Sequence, residues 1–261
     1  MSIYETYAQL YDGVGQIRFS LLMHPYLRNI LEHHPVEGKR ALDIACGTGT
    51  LALLLADEGW QVTGLDASAA MLAQARAKCQ RYIEEGSIAL VEGDMRDIPA
   101  AVCQSLQAAS FDLATCVYDS LNYLLTPEEL ASCFAGIAWA LAPNGLFVGD
   151  MNTRHFLEFD WGEYDVQEHP GYIQISQSYF DPNRETSTLV LTGFLGNDEE
   201  GYERFDEVHI ERAYSLELVK QLLEEAGLIV EAIYDSFTLQ SPTARSQRWV
   251  WVARKPARST A

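Results

Sequence analysis

Over residues 40–151, short apolar segments alternate with longer segments in which apolar residues recur every three or four positions. The short segments predict buried strands and the longer ones amphipathic helices. The predicted strands are RALDIA (40–45), QVTGLD (61–66), IALVEGD (88–94), FDLATCV (111–117) and GLFVGDM (145–151). The predicted helices span 16–33, 50–59, 68–85 and 126–141, and Pro25 is expected to bend or divide the first of them. This alternation indicates a parallel sheet with helices on both faces.

Polar residues support two of the helix starts. Ser68 is suited to cap the helix that follows the second strand. Thr126 and Glu129, with Pro127 between them, have the spacing of a capping box with proline at the first helical position. These residues fix where the predicted helices begin.

The alternation stops between residues 152 and 212, where the segments YIQISQSYF, TSTLVLTGFL and YERFDEVHIERAY are rich in strand-forming residues. The first two are separated by DPNRE, a turn sequence. We expect a small antiparallel sheet inserted into the α/β domain. A helix then follows over 215–227, capped by Ser215 and ended by Gly227. Two consecutive strands, at 228–237 and 247–254, predict an antiparallel hairpin at the sheet edge.

The predicted architecture is therefore a doubly wound α/β fold of seven strands with a reversed last strand. We expect one domain over residues 1–261. Within it, residues 1–38 are expected to form an N-terminal helical lid. Residues 152–212 are expected to form the inserted subdomain, which would cover the substrate or provide a dimer contact.

The chain is strongly acidic, with a formal net charge of −19. Such a surface repels nucleic-acid backbones and anionic membranes, so we expect neither as a partner. The five cysteines form no C-x-x-C pair and predict neither a disulfide framework nor a metal site. Three features of the sequence favour a cytoplasmic location. The thiols are unpaired, no apolar stretch approaches the roughly 18 residues needed to cross a bilayer, and the N-terminus lacks the pattern of a signal peptide.

A glycine-rich segment follows the first predicted strand, in the sequence ALDIACGTGTLA (41–52). From Gly47 it reads G-x-G-x-x-A, the loose dinucleotide fingerprint. Asp66 ends the second strand, 19 positions after Gly47. A carboxylate there suits a ribose diol, in NAD or in a nucleoside methyl donor, so Asp66 leaves both cofactors open.

The charges near this loop favour the methyl donor. Asp43 lies four residues before Gly47, and Asp94 ends the third strand. No lysine or arginine occurs between Arg40 and Arg76, so we expect no cation at the loop. A pyrophosphate would be repelled by this arrangement. S-adenosylmethionine has no phosphate, and acids match its ammonium and sulfonium while N–H groups at a helix start accept its carboxylate.

These residues also carry a family resemblance. The segments LDIACGTGT, VTGLDASAAML, EGDMRDI, FDLATCVYDSLNYL and LAPNGLFVGD resemble the successive motifs of class I S-adenosylmethionine-dependent methyltransferases, which have a Rossmann-like fold. YAQLYDG and FDEVHIERAY resemble parts of the aminosugar N,N-dimethyltransferases, which act on small molecules. One departure is PNGL, where the family usually has a second glycine. Asparagine tolerates the left-handed conformation that such a turn needs.

The resemblance implies cofactor contacts at several positions. Asp66 would hold the ribose hydroxyls. Ala67 and Met71 would border the adenine, and Asp94 with Met95 would meet its edge, although Met71 is equally suited to packing its helix on the sheet. Gly47 and the carbonyl of Ala45 or Cys116 would line the methionine part. Cys116 itself is expected to be a small core residue.

Tyrosines recur near the N-terminus at positions 4, 7 and 11, a spacing that places them on one face of a helix. They could form a packing stripe. Alternatively, they belong to a lid in which Tyr11 contacts the cofactor, as the resemblance implies, and Tyr7 directs its hydroxyl at the methyl acceptor.

Two further segments are candidates for the acceptor site. Tyr118, Asp119, Asn122 and Tyr123 follow the fourth strand and are expected near the transferred methyl group, unless Asp119 caps a helix above an aromatic plug. His209 alternates with Val208 and Ile210, so it points to the opposite face of its strand. A solvent-facing histidine is the commoner case, whereas the resemblance favours one that faces substrate.

The sequence thus predicts a methyltransferase that uses S-adenosylmethionine on a small molecule, most readily at an amine nitrogen. Tyr7, Tyr118 and His209 are its candidate catalytic residues. A homodimer through the insertion is a possible assembly. The alternatives are an NAD-dependent oxidoreductase, which G-x-G-x-x-A and Asp66 would also fit, and a non-catalytic protein that binds the cofactor.

Overall fold

Eleven strands and seven α-helices make up the described part of the chain, which in this computed structural model covers residues 3–102, 109–162, 164–197 and 199–257. The strands are β1 Arg40–Ile44, β2 Gln61–Asp66, β3 Ile88–Glu92, β4 Phe111–Cys116, β5 Leu141–Asn152, β6 Tyr164–His169, β7 Tyr172–Asp181, β8 Thr186–Asn197, β9 Gly201–Arg212, β10 Ile229–Asp235 and β11 Arg248–Arg254. The helices are α1 Ile17–His33, α2 Thr50–Asp57, α3 Ala69–Lys78, α4 Gln80–Glu84, α5 Ile98–Val102, α6 Pro127–Ala140 and α7 Leu216–Glu225.

Seven of the strands form one sheet in the order β10-β11-β5-β4-β1-β2-β3. β1 pairs in parallel with β2 on one side and with β4 on the other, so the strand order reverses at β1. Only β11 runs antiparallel to its two neighbours. The predicted doubly wound sheet with a reversed last strand is confirmed. In such sheets a ligand binds beyond the carboxyl ends of the strands at the reversal point.

Helix ends follow the capping residues of the sequence. The hydroxyl of Ser68 accepts the N–H of Met71, and Thr126 forms the complete capping box with Glu129. Two helices differ from expectation. α1 continues through Pro25 without a break. Proline has no N–H to donate to the main-chain carbonyl of Leu21, and Leu21 is half-exposed. The single helix predicted over 68–85 is two helices, separated at Cys79.

The predicted antiparallel hairpin at the sheet edge is confirmed: β10 is the edge strand, and β11 lies between β10 and β5. Four of the seven residues of β11, at 250–253, are buried, and Trp251 is fully enclosed. Before β5 enters the sheet core, Asn144 adopts φ of 65°. The left-handed conformation expected of the asparagine in PNGL is confirmed.

Strands β6 to β9 form a separate antiparallel sheet in sequence order, which confirms the predicted insertion. The sequence did not single out β6 as a strand of its own. On β9 the side chains alternate strictly: Glu207, His209 and Glu211 are buried, while Val208 and Ile210 are partly exposed. The buried row of β9 faces the short 3-10 turn Ser120–Tyr123 that follows β4.

Among the described residues, no helix is both long enough and apolar enough to span a bilayer.

Candidate active site

A cavity of about 350 Å³ opens at the carboxyl ends of the central strands. The loops after β1, β2 and β3 line one part of it, and the N-terminal segment with the loop after β4 lines the other. Its size is typical of a small-molecule site. This cavity therefore lies where the reversal of strand order predicts a ligand.

The glycine loop after β1 approaches this cavity with bare backbone. Gly47 and Gly49 have φ of 55° and 74°, which side chains disfavour. A Cβ on Gly49 would lie 3.1 Å from the Cβ of Ala75, whereas a Cβ on Gly47 would meet nothing within 4 Å. Gly49 thus allows α3 to pack against the loop, and Gly47 leaves open space beside the cavity for a ligand.

Asp66 is joined to this loop by its carboxylate. One oxygen accepts the N–H of Gly47 and the other the N–H of Ser68, each at 2.8 Å. Burial raises the pKa of Asp66, while these backbone hydrogen bonds oppose that rise. The side chain lines the cavity with further lone pairs available, so it is oriented to accept the hydroxyls of a ribose.

Asp43 is buried within β1, with 2% of its surface exposed. One oxygen accepts the hydroxyl of Thr115 at 2.7 Å, and Oδ2 has no hydrogen-bond partner among the described residues. Burial raises the pKa of Asp43 to about 7. An unpartnered carboxylate oxygen beside a cavity fits a cationic group such as the ammonium of S-adenosylmethionine.

Asp94 lies two residues beyond β3 and forms a bidentate pair with the guanidinium of Arg96. Arg96 also contacts Glu129, the capping-box residue of α6. The hydrogen bonds from Arg96 lower the pKa of Asp94. Asp94 and Arg96 both line the cavity, so Asp94 meets the ligand as an ionised carboxylate that already has a partner.

A lysine does reach the glycine loop, contrary to the expectation from sequence. Lys78 Nζ donates to the hydroxyls of Thr48 at 2.8 Å and Thr50 at 2.7 Å, and lies 2.5 Å from a carboxylate oxygen of Asp12. The linear spacing missed it because the last turn of α3 folds back against the loop. Asp12 neutralises the charge of Lys78. Lys78 is not among the described residues that line the cavity.

Most of the predicted cofactor residues share this cavity. Nine of the ten line it: Tyr11, Asp43, Ala45, Gly47, Asp66, Ala67, Met71, Asp94 and Met95. The tenth, Cys116, is fully buried in the main core cluster. Burial raises the pKa of its thiol, as expected for a small core residue rather than a nucleophile.

Tyrosines enclose the other end of the cavity. Tyr4, Tyr11, Tyr118 and Tyr123 line it, with ring centroids 6.1 Å apart for Tyr4 and Tyr11 and 6.5 Å apart for Tyr11 and Tyr118. Tyr7 lies behind them, buried, and its hydroxyl accepts from the amide of Gln16. Of the three candidate catalytic residues, Tyr118 lines the cavity, whereas Tyr7 and His209 form part of its supporting layer.

His209 is buried, with 4% of its surface exposed, so the commoner solvent-facing orientation is wrong here. It is covered because β9 packs against the 3-10 turn after β4 and against the N-terminal segment. Its Nδ1 lies 3.0 Å from the hydroxyl of Tyr123, and its Nε2 lies 3.3 Å from Glu207.

A buried polar network supports the loop after β4. Tyr118 and Asp119 both have positive φ, and their N–H groups donate to Asp150 at 2.9 and 2.7 Å. Arg248 of β11 pairs with Asp150 at 2.5 Å and Asp119 at 3.2 Å. Burial, and next the carboxylate of Asp119, raise the pKa of nearby Glu211 well above its ordinary value. The network fixes the ring of Tyr118 against the cavity.

Sequence reasoning did not identify several of these residues, namely Glu207, Glu211, Asp150 and Arg248. Glu207 and Glu211 could have been found, because they share the two-residue period of His209 in DEVHIE. Asp150 and Arg248 meet only through the pairing of β5 with β11, which a linear pattern does not reveal.

Comparisons with known proteins agree with this geometry. Residues 41–145 match a family described as a methyltransferase domain. A protein of Geobacillus sp. (strain WCH70), named as a candidate methyltransferase, is 32% identical over 97% of this chain and 99% of its own length. The dTDP-3-amino-3,4,6-trideoxy-alpha-D-glucopyranose N,N-dimethyltransferase of Streptomyces venezuelae is 26% identical over 78% of this chain and 81% of its own.

Among solved structures, an S-adenosylmethionine-dependent methyltransferase from Clostridium acetobutylicum ATCC 824 has the same fold. The two superpose with a TM-score of 0.81 at 23% identity, covering 98% of this chain and all of that one. The similarity includes the second sheet as well as the first, since nearly the whole of both chains is aligned.

Proposed function

The chain belongs to the class I S-adenosylmethionine-dependent methyltransferases, and from that premise we propose that it methylates the nitrogen of a small-molecule amine. The observation that carries this proposal is the tyrosine-lined end of the cavity. Aromatic faces attract an ammonium or a methylated amine. The carboxylate of Asp119 lies behind these rings, where it shares the guanidinium of Arg248 with Asp150.

The cations of the site support an amine rather than an anionic acceptor. Arg96 lies at the other end of the cavity, beside Asp94, and is paired there with two carboxylates. Arg248 lies behind the ring of Tyr118, and Asp119 and Asp150 neutralise it. No unpaired cation among the described lining residues would therefore attract a phosphate or carboxylate acceptor. The named substrate of the Streptomyces venezuelae relative is likewise an amino sugar.

S-adenosylmethionine supplies a methyl group on a sulfonium that is activated for in-line displacement. Asp66 would accept the ribose hydroxyls, the N–H groups of the glycine loop would bind the carboxylate, and Asp43 the ammonium. Ala67 and Met71 would border the adenine, with Asp94 and Met95 at its edge. The chain contributes chiefly alignment and exclusion of water, which can supply much of the rate acceleration in a transfer of this kind.

The N-terminal segment would act as the lid in this scheme. Tyr4 and Tyr11 contribute to the cavity wall, and the main chain of Tyr4 and Tyr7 donates to Glu207 of the inserted sheet. The lid and the insertion would close over the acceptor together, so that acceptor entry and product release require the segment before α1 to move. We assign substrate covering to the inner face of the insertion and leave its outer face as a candidate dimer contact.

The proposal is tested with S-adenosylmethionine labelled in the methyl group with ¹³C. The purified chain is incubated with a panel of amines and with alcohols of matched skeleton, among them dTDP-3-amino-3,4,6-trideoxy-alpha-D-glucopyranose and its 3-hydroxy counterpart. We expect label on nitrogen in at least one amine, and no turnover of the matching alcohol. Label on oxygen or carbon alone would overturn the assignment of an amine acceptor.

A control variant separates the role of the cavity from the stability of the fold. Tyr118→Ala removes one wall of the tyrosine-lined end and is expected to raise KM for the amine while leaving S-adenosylhomocysteine affinity within about threefold. Tyr179→Ala removes an exposed tyrosine on β7 and should change neither quantity.

A further inference from the structure

A continuous chain of hydrogen bonds leads from the cavity into the inserted sheet. The hydroxyl of Tyr4 lies 2.9 Å from that of Tyr123, and the hydroxyl of Tyr123 lies 3.0 Å from Nδ1 of His209. Nε2 of His209 lies 3.3 Å from Glu207. Tyr4 and Tyr123 line the cavity, whereas His209 and Glu207 are buried on β9.

The carboxylate of Glu207 determines the direction in which these hydrogen bonds are donated. Burial favours its neutral form, but the hydrogen bond from His209 and the main-chain N–H of Tyr4, at 2.9 Å, lower the pKa of Glu207 overall. An ionised carboxylate only accepts, so Nε2 of His209 must carry the proton. Nδ1 is then the free acceptor of the ring, and Tyr123 is its hydrogen-bond partner among the described residues.

We propose that Tyr123, His209 and Glu207 form a relay that removes the proton which an ammonium acceptor must lose before it can be methylated. The inference rests on the amine acceptor proposed above. Tyr123 is the member that touches the acceptor. His209 and Glu207 act through Tyr123 as positioning residues, with His209 holding the transferred proton.

Each proton that leaves one atom of the relay is accepted by the next. The N–H bond of the acceptor breaks and its proton forms a new O–H bond on Tyr123, while the former phenolic proton moves to Nδ1 of His209. The nitrogen keeps its electron pair for attack on the methyl group. His209 becomes an imidazolium paired with Glu207, and the proton leaves to solvent when the lid opens.

The surroundings favour a relay over a tyrosinate base. Burial raises the pKa of Tyr123 well above its ordinary value, with further contributions from Glu211 and Asp119. Tyr123 therefore cannot hold a negative charge near neutral pH, but it can give up one proton as it receives another. The titratable and charged groups described around the relay come from five parts of the chain: Tyr4, Tyr7 and Tyr11 from the N-terminal segment, Asp119 from the loop after β4, Tyr172 from β7, Glu211 from β9 and Arg248 from β11.

Closure of the lid and completion of the relay occur in one event. The main-chain N–H groups of Tyr4 and Tyr7 donate to the same carboxylate that orients His209. The hydroxyl of Tyr4 lies 2.9 Å from that of Tyr123. Because Tyr123 donates to His209 in the relay, Tyr4 is the donor of this pair, and it occupies the lone pair that the acceptor ammonium would use. An arriving ammonium would displace the Tyr4 hydroxyl from Tyr123 and leave the hydrogen bonds among Tyr123, His209 and Glu207 intact.

The relay is tested first by ¹⁵N NMR of histidine-labelled protein saturated with S-adenosylhomocysteine. We expect His209 as the Nε2–H tautomer, and a mixture of tautomers in Glu207→Gln. Glu203→Gln, an exposed change on the same strand, should leave the tautomer unaltered. An Nδ1–H tautomer in the unaltered protein overturns the relay, whatever the acceptor is.

Kinetics with the amine from the panel that is turned over fastest gives the second test. At about pH 7, Tyr123→Phe should lower kcat about 10²-fold with KM within about twofold, and kcat should recover near pH 9 to 10, where the amine is already neutral. Tyr179→Phe is the matched control. An equal loss at every pH would mean a structural role and overturn the relay alone. Failure of the unaltered enzyme to methylate any amine would instead refute the proposed function, and the relay as a proton route with it.

Discussion

The ammonium of Lys78, at the end of α3, lies 2.5 Å from the carboxylate of Asp12 in the N-terminal segment. Thr48 of the glycine loop donates to the same carboxylate at 2.8 Å. Three parts of the chain, each at least thirty positions from the next, thus meet at one point beside the glycine loop. The contact ties the proposed lid to the loop that would hold the cofactor.

This contact predicts a salt-sensitive rate of cofactor release. Asp12→Asn removes the ion pair and is expected to raise the dissociation rate of S-adenosylhomocysteine about 2- to 5-fold, because a partly exposed pair contributes up to about 1 kcal/mol. The rate for the unaltered protein should rise with salt, and that of Asp12→Asn should not. Surface plasmon resonance measures both rates. Arg81→Gln, which breaks an exposed pair on α4, serves as the control. An unchanged rate would show that the contact does not restrain the lid.

Asp43 predicts a pH dependence of cofactor affinity. Its pKa of about 7 in the free protein reflects burial, and a bound ammonium would lower that pKa by stabilising the carboxylate. Binding must then release a proton wherever Asp43 is protonated beforehand. The affinity for S-adenosylmethionine should therefore weaken as the pH falls below about 7 and level off above it.

Calorimetry in buffers of different ionisation enthalpy measures this proton release directly. Asp43→Asn should bind the cofactor more weakly and lose the pH dependence. Thr115→Val removes the one hydroxyl that the structure shows donating to Asp43, so it should move the midpoint to higher pH. If the affinity of the unaltered protein is flat between about pH 6 and pH 8, Asp43 does not contact the ammonium.

The Arg248 network predicts a large effect on stability. Arg248→Met leaves Asp119 and Asp150 without their cation in a buried site, which should reduce the free energy of unfolding by about 3–5 kcal/mol near neutral pH. Urea unfolding followed by circular dichroism provides the measurement. The double variant Arg248→Met with Asp150→Asn should recover part of the loss, since one unpaired charge is removed. No recovery would indicate that Arg248 stabilises chiefly through its packing on the rings of Phe19 and Tyr118.

Local sequence signals predicted much of this molecule correctly. Ser68 and Thr126 define helix starts through side-chain hydrogen bonds that span only three residues, so their effect does not depend on the tertiary fold. The left-handed Asn144 is equally local. The alternation of apolar segments fixed the parallel sheet, and with it the edge at which Asp43 and Asp66 meet the cavity.

Features that depend on contacts between distant parts of the chain could not be predicted from local sequence signals. Lys78 reaches Thr48 across thirty positions because α3 folds back on the loop. His209 is buried because the N-terminal segment and the turn after β4 cover β9, although its own strand pattern allows either face. The burial of β11 follows from its insertion between β5 and β10, which a consecutive pair of strands does not specify.

Titration of S-adenosylmethionine into the unaltered protein and into Asp66→Ala, by isothermal calorimetry, tests the assignment of the cofactor site most directly. Loss of the carboxylate that would accept the ribose hydroxyls should weaken binding about 10²-fold or more, since hydrogen bonds to a charged group contribute about 1.5–3 kcal/mol each. Asp57→Ala, an exposed change at the end of α2, should bind normally. Equal affinity in Asp66→Ala and the unaltered protein would contradict the account.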